Sequence, residues 1–458
     1  MSICDSSSGR VARRAVVAVI ALIMFVVFCP ALYAQNDNWN TRAVGGISVD
    51  ASGVLDNATL DDTGSLSRFR ARLLQAVPDD LNRMADLRKV SLKGLEAAIR
   101  DCIENKKNLP DEINYLAGLQ QIHYVFVYPE QNDIVLVGPG EGWKVDAQGN
   151  VVGVTTGRPV IILDDLLVAL RSARAAARIE ISCSIDPTSQ GLTRLRGHVS
   201  KLRTIGNPQR TATGIENALG PQQITVTGVP ETSHFARVMV AADYRMKRLA
   251  MNFESAPIRG LPSFLHMMKA TGSGMRNMLP RWWLAPQYEP LLRDADGLAW
   301  ELRGAAVKAM TEEDFLTTSG ARQHTGRTNP VAQKWADNMT EKYDELAVAD
   351  PIFGQLRNCM ELAIVAALIV KENLTAKAGY SMPTLMGPEN LNVVRFPSPK
   401  QVDSKASVLR KGRKWLISAS GGVKVNSWAI ADKVEQSDSL APVRSKAAAK
   451  KGTSWWWN

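Results

Sequence analysis

Apolar segments between residues 122 and 185 predict a core of strands with one helix packed against it. Ile122–Tyr128 and Ile134–Val137 are apolar runs separated by a polar turn, and Val160–Leu163 is a short run typical of a buried strand. Asp164–Ala177 repeats apolar residues at helical spacing, and Ile179–Ile185 follows as another strand. This succession predicts a mixed fold, between α/β and α+β, in which hairpin-rich sheets carry flanking helices.

Four turns share one order of residues: Asp or Ser, Ala, a polar residue, then Gly. The side-chain oxygen of the first residue can accept hydrogen bonds within its own turn, and Gly tolerates the positive φ at the fourth position. Hairpin turns are therefore expected at Asp50–Gly53, Asp146–Gly149, Asp294–Gly297 and Ser418–Gly421. Their irregular spacing excludes a solenoid or a propeller. A Gly-Pro-Gly break at 138–140 is expected to end a strand.

The second half of the chain is richer in helical periodicity. A helix opened by Pro230–Ser233 continues to Leu249, and two more begin at Asn329-Pro330 and Asp350-Pro351, where a capping side chain precedes Pro in the first turn. The last of these is apolar almost all round at Leu362–Val370, which predicts a buried core helix because nine residues do not cross a bilayer. The two final helices are expected to form a C-terminal αα-hairpin.

Length and composition predict several domains, because 458 residues are too many for one hydrophobic core. A stretch rich in Gly, Pro, Asn and Thr at 203–221 is the expected boundary. The predicted parts are a signal peptide (1–34), an α/β domain (35–210), a second α+β domain (222–328), the αα-hairpin packed on that second domain (329–378), a terminal hairpin (396–428) and a basic disordered tail (429–458).

The first 34 residues have the pattern of an export signal. Arg residues precede an unbroken apolar run, Ala15–Cys29, and small residues before Gln35 offer a cleavage site. The alternative is an uncleaved membrane anchor, because Ala15–Ala34 is just long enough to span a bilayer. We expect an exported protein, periplasmic or secreted, with membrane anchoring as the alternative.

Three cysteines remain after the signal, at Cys102, Cys183 and Cys359. Their wide spacing does not form a disulfide framework, and three buried free thiols are expected, with one disulfide plus one free thiol as the alternative. No Cys or His cluster predicts a metal site, and no motif predicts a cofactor.

The positive charge of the mature chain is concentrated near its C-terminus. Residues 396–458 hold 12 Lys and Arg against 4 Asp and Glu, whereas residues 35–395 hold 40 of each. Arg444, Lys446, Lys450 and Lys451 are therefore candidates for binding an anionic envelope component such as polysaccharide or lipid headgroups, with the adjoining Trp residues stacking or inserting. The alternative is a solvated, disordered tail, and no specific nucleic-acid motif is present.

Four residues are weak candidates for catalysis. Asp164, next to Asp165 at a helix start, is a possible acid or base but is more typical of a helix cap. His234 and Asp243 lie on one helix, where a solvated polar face is the structural alternative. Cys183 ends a strand without a nucleophile motif, which favours a buried structural thiol.

Seven segments carry a resemblance to a known family: Ile122–Glu130, Thr156–Pro159, Leu163–Leu166, Cys183–Thr188, Ala242–Lys247, Asn329–Asn338 and Asp350–Phe353. They resemble a family of exported planctomycete proteins that carries a domain of unknown function. The likeness runs from about Val44 to Gly422, implies export and a single extended module, and supplies no catalytic residues.

No residue pattern in the chain identifies a reaction. The sequence therefore favours an exported, non-enzymatic protein that binds or scaffolds other components of the cell envelope. The alternative is an exported hydrolase acting on a polymer or a peptide, which the five histidines and the strand-end carboxylates support only weakly.

Overall fold

Two mixed sheets with helices between and around them form the part of the chain that the structure describes. The structure is a computed structural model, and it describes residues 44–50, 52–57, 76–202, 207–271, 279–304, 307–316, 322–324, 329–407, 419–448 and 456–457. The predicted signal peptide of residues 1–34 lies outside the described residues, so its cleavage remains a prediction. The predicted mixed fold is confirmed.

The larger sheet has nine strands among the described residues. In spatial order the strands are β1 (Ile47–Val49), β2 (Val54–Asn57), β15 (Gln401–Val402), β9 (Gln222–Thr227), β8 (Ile181–Pro187), β16 (Ser420–Val425), β10 (Leu279–Pro286), β13 (Val307–Leu316) and β14 (Arg322–His324). Pairing is antiparallel except between β2 and β15 and between β16 and β10, which are parallel.

The smaller sheet has six described strands, with one parallel pair, β17 with β11. In spatial order they are β17 (Val434–Gln436), β11 (Leu291–Arg293), β12 (Ala299–Glu301), β4 (Tyr124–Tyr128), β5 (Asp133–Gly140) and β3 (Ala85–Ser91). A separate hairpin joins β6 (Trp143–Val145) to β7 (Val151–Gly153).

Fourteen α-helices lie within the described residues. They are α1 (Leu92–Glu104), α2 (Asp111–Asn114), α3 (Leu163–Ala176), α4 (Ser189–Lys201), α5 (Pro208–Leu219), α6 (His234–Ala250), α7 (Phe264–Thr271), α8 (Pro330–Glu341), α9 (Tyr343–Ala349), α10 (Pro351–Lys371), α11 (Leu374–Ala378), α12 (Pro383–Met386), α13 (Ser427–Ala431) and α14 (Leu440–Ala447).

Helix α10 is the centre of the core. It packs on α3, α6, α9 and α13, while α6 packs on β8 and β16 of the larger sheet. Of the described helices, α10 alone has the length and apolarity that a membrane span requires. However, 94% of its most apolar 18-residue stretch is buried inside the protein. The predicted core helix is therefore confirmed, and its charged residues Arg357 and Glu361 are buried with it.

Local signals placed several elements correctly. The side chain of Ser91 accepts from the backbone N–H of Gly94 at the start of α1, and that of Asn329 accepts from Val331 and Ala332 at the start of α8. In the turn before β7, Asp146 Oδ1 accepts from the N–H groups of Gln148 and Asn150 at 2.8 Å each. These contacts span at most four residues, which is why the sequence predicted them.

Two predicted strand features were wrong. Val160–Leu163 is buried but not a strand; Ile161 donates to the Leu119 carbonyl at 2.7 Å, and α3 already begins at Leu163. The Gly-Pro-Gly segment continues β5 to Gly140. A Cβ added at Gly138 would lie 2.0 Å from the Gln121 carbonyl oxygen, so Gly serves close backbone packing there and does not end the strand.

Both sheets cross the boundaries of the predicted domains. Strands from the predicted first and second domains and from the C-terminal region share both sheets, and Ala43–Asn458 forms one compact unit. Most of the predicted boundary at 203–221 is occupied by α5, and 203–206 lie outside the described residues. The αα-hairpin is three helices, α8, α9 and α10, and α10 contacts α3 and α6 as well as the later elements.

The described residues of the predicted terminal hairpin and tail are packed into the body. Strand β16 lies between β8 and β10 in the larger sheet, while residues 408–418 of the predicted hairpin lie outside the described residues. Residues predicted as a disordered tail form β17 and α14, and α14 covers the outer face of the smaller sheet through Leu440 and Ala447. The apolar side of that sheet needed a cover, which the tail supplies.

Candidate functional site

A polar cavity of 380 Å³ opens beside α10, where β4 begins and β12 ends in the smaller sheet; we call it the Arg158–Glu361 cleft. Its volume is within the usual range for small-molecule sites. Six separate parts of the chain line it: the residues before β4, the loop before α3, the segment before β11, the end of β12 with the residues after it, α9 and α10. The polar residues that line it are Gln121, His123, Arg158, Tyr288, Glu301, Arg303, Asp344, Arg357 and Glu361.

Helix α10 contributes two buried charges to the cleft. Arg357 and Glu361 are 3% and 4% exposed. Residues four apart lie on the same helix face, so both side chains project toward the same cavity. A buried charge is costly unless it is paired and hydrogen-bonded, so both need partners from other elements.

Glu361 is held by the chain just before β4. Its Oε2 accepts the backbone N–H of Ile122 at 3.0 Å. Burial raises the pKa of Glu361 to about 7, against the opposing effects of Arg357, the Ile122 N–H and Tyr288. With a pKa raised toward neutrality, the carboxyl can donate or accept a hydrogen bond.

Arg357 is already engaged by protein groups. Its Nη1 donates to Asp344 Oδ1 at 3.0 Å, and with the Gln121 amide turned to offer its oxygen, Arg357 Nε donates to it at 3.0 Å. Arg303 is likewise paired, with Glu289 at 3.1 Å and Glu435 at 3.4 Å. These two cations shape the wall of the cleft.

Arg158 and His123 differ from those two cations. Neither side chain has a hydrogen bond or an ion pair to another described residue; Arg158 is half-buried and His123 is exposed. Although His123 is exposed, desolvation by neighbouring protein atoms and then the charges of Arg158 and Arg357 lower the pKa of its ring, so the imidazole is neutral at pH 7. The Arg158 guanidinium therefore has donors available for an anionic group entering the cleft.

The Tyr288 hydroxyl is the other unused polar group. It is buried and makes no hydrogen bond of normal geometry, although it lies near enough to Glu361 to influence the pKa of that carboxyl. Buried hydroxyls normally have a partner, and an atom of a ligand in the cleft would supply one.

The structure places the predicted candidate His234 beside Asp165, the neighbour of Asp164. The ring Nδ1 lies 3.0 Å from Asp165 Oδ2, and the Cys359 thiol donates to the same oxygen at 3.6 Å. Burial lowers the pKa of His234, but the Asp165 carboxylate outweighs it and the pKa is raised overall. Asp164 itself accepts from the Val394 N–H at 3.5 Å.

The other two candidates lie together elsewhere. Asp243 is fully buried and pairs with Lys247, Nζ to Oδ2, at 2.7 Å, and the lysine also donates to the Gly421 carbonyl at 3.1 Å. Burial raises the pKa of Asp243 to about 6. Burial and then Asp243 raise the pKa of the Cys183 thiol, which is the opposite of nucleophile activation.

All three cysteines of the described chain are buried and free, as expected. Within the described residues, no group of three or more His, Cys, Asp or Glu side chains is placed to hold a metal ion. What the Arg158–Glu361 cleft offers a ligand is the charge of Arg158, the hydroxyl of Tyr288 and the Glu361 carboxyl, which can gain or lose a proton.

The residues predicted to bind anions in the C-terminal tail have different structural environments. Arg444 donates from Nη1 to the Val127 carbonyl at 2.9 Å, and its own carbonyl accepts from the Tyr128 hydroxyl at 2.8 Å, so it holds α14 on the sheet. Lys446 is exposed. Lys450 and Lys451 lie outside the described residues.

Sequence reasoning missed the Arg158–Glu361 cleft. A signal was present: Arg357 and Glu361 interrupt a helix that is otherwise strongly apolar, and such charges are seldom fully buried unless they are paired. The remaining lining residues come from distant parts of the chain, and no spacing relates them.

Comparisons with known proteins identify one region of the chain, residues 183–264. No curated protein and no solved structure matches the chain. The matched region includes β8, α4, α5, β9 and α6, and thus Cys183, His234 and Asp243, but not the Arg158–Glu361 cleft. Residues 183–264 match the model of a family described as a protein of unknown function, DUF1598.

Proposed function

We propose that the protein is an exported, non-enzymatic binding protein of the cell envelope that holds a small anionic ligand in the Arg158–Glu361 cleft. The observation that carries this proposal is the unpaired Arg158 guanidinium in a polar cavity whose other cations already have protein partners.

The ligand's anionic group, a carboxylate or a phosphate, would accept from Arg158. Protonated Glu361 and the Tyr288 hydroxyl supply two further donors deeper in the cavity. Hydrogen bonds that involve a charged group contribute roughly 1.5–3 kcal/mol, so Arg158 would dominate the affinity for the anionic group.

The test is calorimetric titration of the protein with a panel of small carboxylates and phosphates. We expect at least one of them to bind, and Arg158→Gln to weaken that binding by roughly tenfold or more, which corresponds to about 1.4 kcal/mol. Arg178→Gln, which removes an exposed Arg just after α3, is the control and should bind as the unmodified protein does. Equal affinity in the Arg158 variant, or no binding by any member of the panel, would refute the proposal.

Export rests on the pattern of residues 1–34. Fractionation of cells that produce the full chain should place it outside the cytosol, and mass spectrometry should find a mature N-terminus near Gln35. A chain that stays cytosolic with residues 1–34 intact would contradict this part of the proposal; a membrane-bound chain that retains them would support the anchored alternative.

The His234–Asp165 contact favours a second candidate function, an exported hydrolase of a polymer or a peptide. Asp165 holds Nδ1, which leaves Nε2 as the ring nitrogen that could accept a proton from water or substrate. The His234 side chain is 14% exposed. Hydrolysis of labelled polysaccharides and peptides that is lost in His234→Gln, in a variant that still folds, would support it; no hydrolysis by the unmodified protein would exclude it for those substrates.

A further inference from the structure

Polar side chains dominate the wall of the Arg158–Glu361 cleft. Of the twelve described residues that line it, only Ile122, Leu302 and Gly304 lack a polar side chain. Sites that bind largely apolar small molecules are instead lined mainly by hydrophobic and aromatic side chains. The occupant of this cleft is therefore expected to be hydrophilic over most of its surface.

The charges of the cleft leave room for one anionic group. Among the described lining residues, Arg158 is the cation without a protein partner, whereas Arg303 and Arg357 are paired with carboxylates. A second anionic group on the same ligand would meet the carboxyl groups of Asp344 or Glu361 without a free cation to offset them. A ligand with a single anionic group fits this arrangement best.

Two neutral groups in the cleft can both donate and accept hydrogen bonds. The neutral His123 ring has one nitrogen that donates and one that accepts, and neither is bonded to a described residue. The Tyr288 hydroxyl also donates and accepts, and it lies beside Glu361 without a hydrogen bond of normal geometry. The oxygens of an ionised carboxylate or phosphate only accept, so they match such groups incompletely, whereas hydroxyls match them fully.

Glu361 also favours a hydroxyl as its ligand partner. Its Oε2 accepts from the Ile122 N–H, and its Oε1 has no hydrogen bond of normal geometry to a described residue. Because burial raises the pKa of Glu361 toward neutrality, both its acid and its carboxylate form are accessible. A hydroxyl accepts from the first form and donates to the second. An ammonium group would be repelled by Arg357, whose charge already acts on Glu361.

We propose that the Arg158–Glu361 cleft binds a monosaccharide that carries one carboxylate or phosphate group. The anionic group pairs with Arg158, and hydroxyls of the sugar bond to His123, Tyr288 and Glu361. This inference rests on the function proposed for the cleft, and it narrows the small anionic ligand to a sugar acid or a sugar phosphate.

The test is calorimetric titration of the purified protein at pH 7 with matched ligands. D-Glucuronate and D-galacturonate are compared with cyclohexanecarboxylate, and D-glucose 6-phosphate is compared with cyclohexyl phosphate. Matched ligands share a ring and an anionic group, and the sugars add hydroxyls. We expect at least one sugar to bind roughly tenfold more tightly than its match, or better, which also identifies the anionic group.

Substitutions at His123 and Tyr288 separate the hydroxyl contacts from the anionic contact. His123→Phe and Tyr288→Phe keep a ring and remove its hydrogen-bonding atoms, so each should weaken binding of the sugar by roughly threefold to tenfold. The affinity for the ligand without hydroxyls should stay the same, whereas Arg158→Gln should weaken binding of both. His198→Phe, on α4 and outside the cleft, is the matched control and should bind both ligands as the unmodified protein does.

The possible failures are distinguishable. Equal affinity for sugars and their matches, with the dependence on Arg158 retained, would overturn the sugar as ligand and leave the proposed anion-binding function standing. Equal weakening of both ligands by His123→Phe and Tyr288→Phe would likewise overturn the hydroxyl contacts. Tighter binding of L-glutamate than of any sugar would favour an ammonium-bearing ligand instead. If no acid of either kind binds, the function proposed for the cleft fails and this inference fails with it.

Discussion

Buried ionisable side chains are the residues that distinguish this protein from an ordinary α+β body. Glu361, Arg357, Asp165 and Asp243 are all less than 9% exposed, and each has a partner from another element or another helical turn. Taking a charge out of water costs free energy that such partners only partly offset. Their effects on stability should therefore depend on pH.

Glu361→Gln should change the pH dependence of unfolding. Because burial raises the folded-state pKa of Glu361 to about 7, from an ordinary 4.5, the native protein loses stability as pH rises between these values. Gln cannot ionise. The free energy of unfolding of the Glu361→Gln variant, relative to that of the unmodified protein, should therefore increase between pH 5 and pH 8 by on the order of 2–3 kcal/mol. Urea unfolding at the two pH values measures this.

The control for that measurement is Glu289→Gln, an exposed carboxylate whose removal should alter stability by the same amount at both pH values. If the stability difference between Glu361→Gln and the unmodified protein is the same at pH 5 and pH 8, then Glu361 ionises in the folded protein as freely as in the unfolded chain.

The His234–Asp165 pair should have the same direction of pH dependence for a different reason. The folded-state pKa of His234 is raised, so its stabilisation by Asp165 is fully present below the unfolded pKa of about 6.5. It is lost as pH rises through the folded pKa. A double-mutant cycle with His234→Gln and Asp165→Asn should give a coupling of about 1–3 kcal/mol at pH 6 and a smaller one at pH 9.

The partly exposed pair Arg303 and Glu289 is a suitable reference for that cycle, because it is a surface ion pair that contains no imidazole. Its coupling should be small and equal at the two values. A His234–Asp165 coupling that does not change with pH would mean that the ring is not charged when it contacts Asp165.

At the scale of elements, the C-terminal region is a structural part of the smaller sheet. Helix α14 covers the face formed by Phe126, Tyr128 and Val135, and Trp456 accepts a backbone hydrogen bond from Ser91 on the edge strand β3 at 2.7 Å. A covered sheet face and a partly paired edge both reduce the tendency to aggregate. The sequence predicted a disordered tail here because the region is rich in Lys and Arg, and its few apolar residues did not indicate a packed helix.

Leu440→Ala should therefore destabilise the protein, although it lies in a region predicted to be disordered. Leu440 is 1% exposed, and loss of a buried Leu side chain costs about 2–4 kcal/mol. Lys446→Ala, at an exposed position of the same helix, should cost little. Urea unfolding of the two variants compares them, and similar stabilities would mean that α14 does not pack on the sheet in solution.

At the scale of the whole molecule, strands distant in sequence alternate within each sheet. In the larger sheet β8 lies between β9 and β16, and β10 pairs with β16 on its other side. The predicted 35–210 domain contains β8 but lacks these neighbours and the core helices α6 and α10. In a fragment of residues 35–210, the edges of β8 and the apolar faces that α6 and α10 cover would therefore have nothing to pack against.

A fragment of residues 35–210 should consequently fail to fold alone. We expect it to lack the near-ultraviolet circular dichroism of fixed aromatic packing, while the chain from residue 35 to 458 unfolds in one cooperative transition. A stably folded fragment, or two well-separated transitions in the longer chain, would restore the predicted division into domains.

The sequence by itself determined features that depend on neighbours within a few residues. The Asp146 turn, the Ser91 and Asn329 caps and the burial of α10 were all predicted, because a cap, a turn or a helical stripe is contained in one short segment. The fourth turn failed because Gly421, at a φ of 122°, lies inside β16, where a Cβ would come within 1.8 Å of the Trp282 carbonyl oxygen.

Only the tertiary structure decided which segments meet. The Ile122–Glu361 hydrogen bond joins residues 239 positions apart, and the His234–Asp165 contact joins residues 69 apart. Local patterns carry no information about such pairs, because burial of the α10 charges requires partners that the chain brings together only when both sheets close around that helix. For the same reason the Arg158–Glu361 cleft and the packed C-terminal helix emerged from the fold, whereas the mixed class of the fold was visible in the sequence.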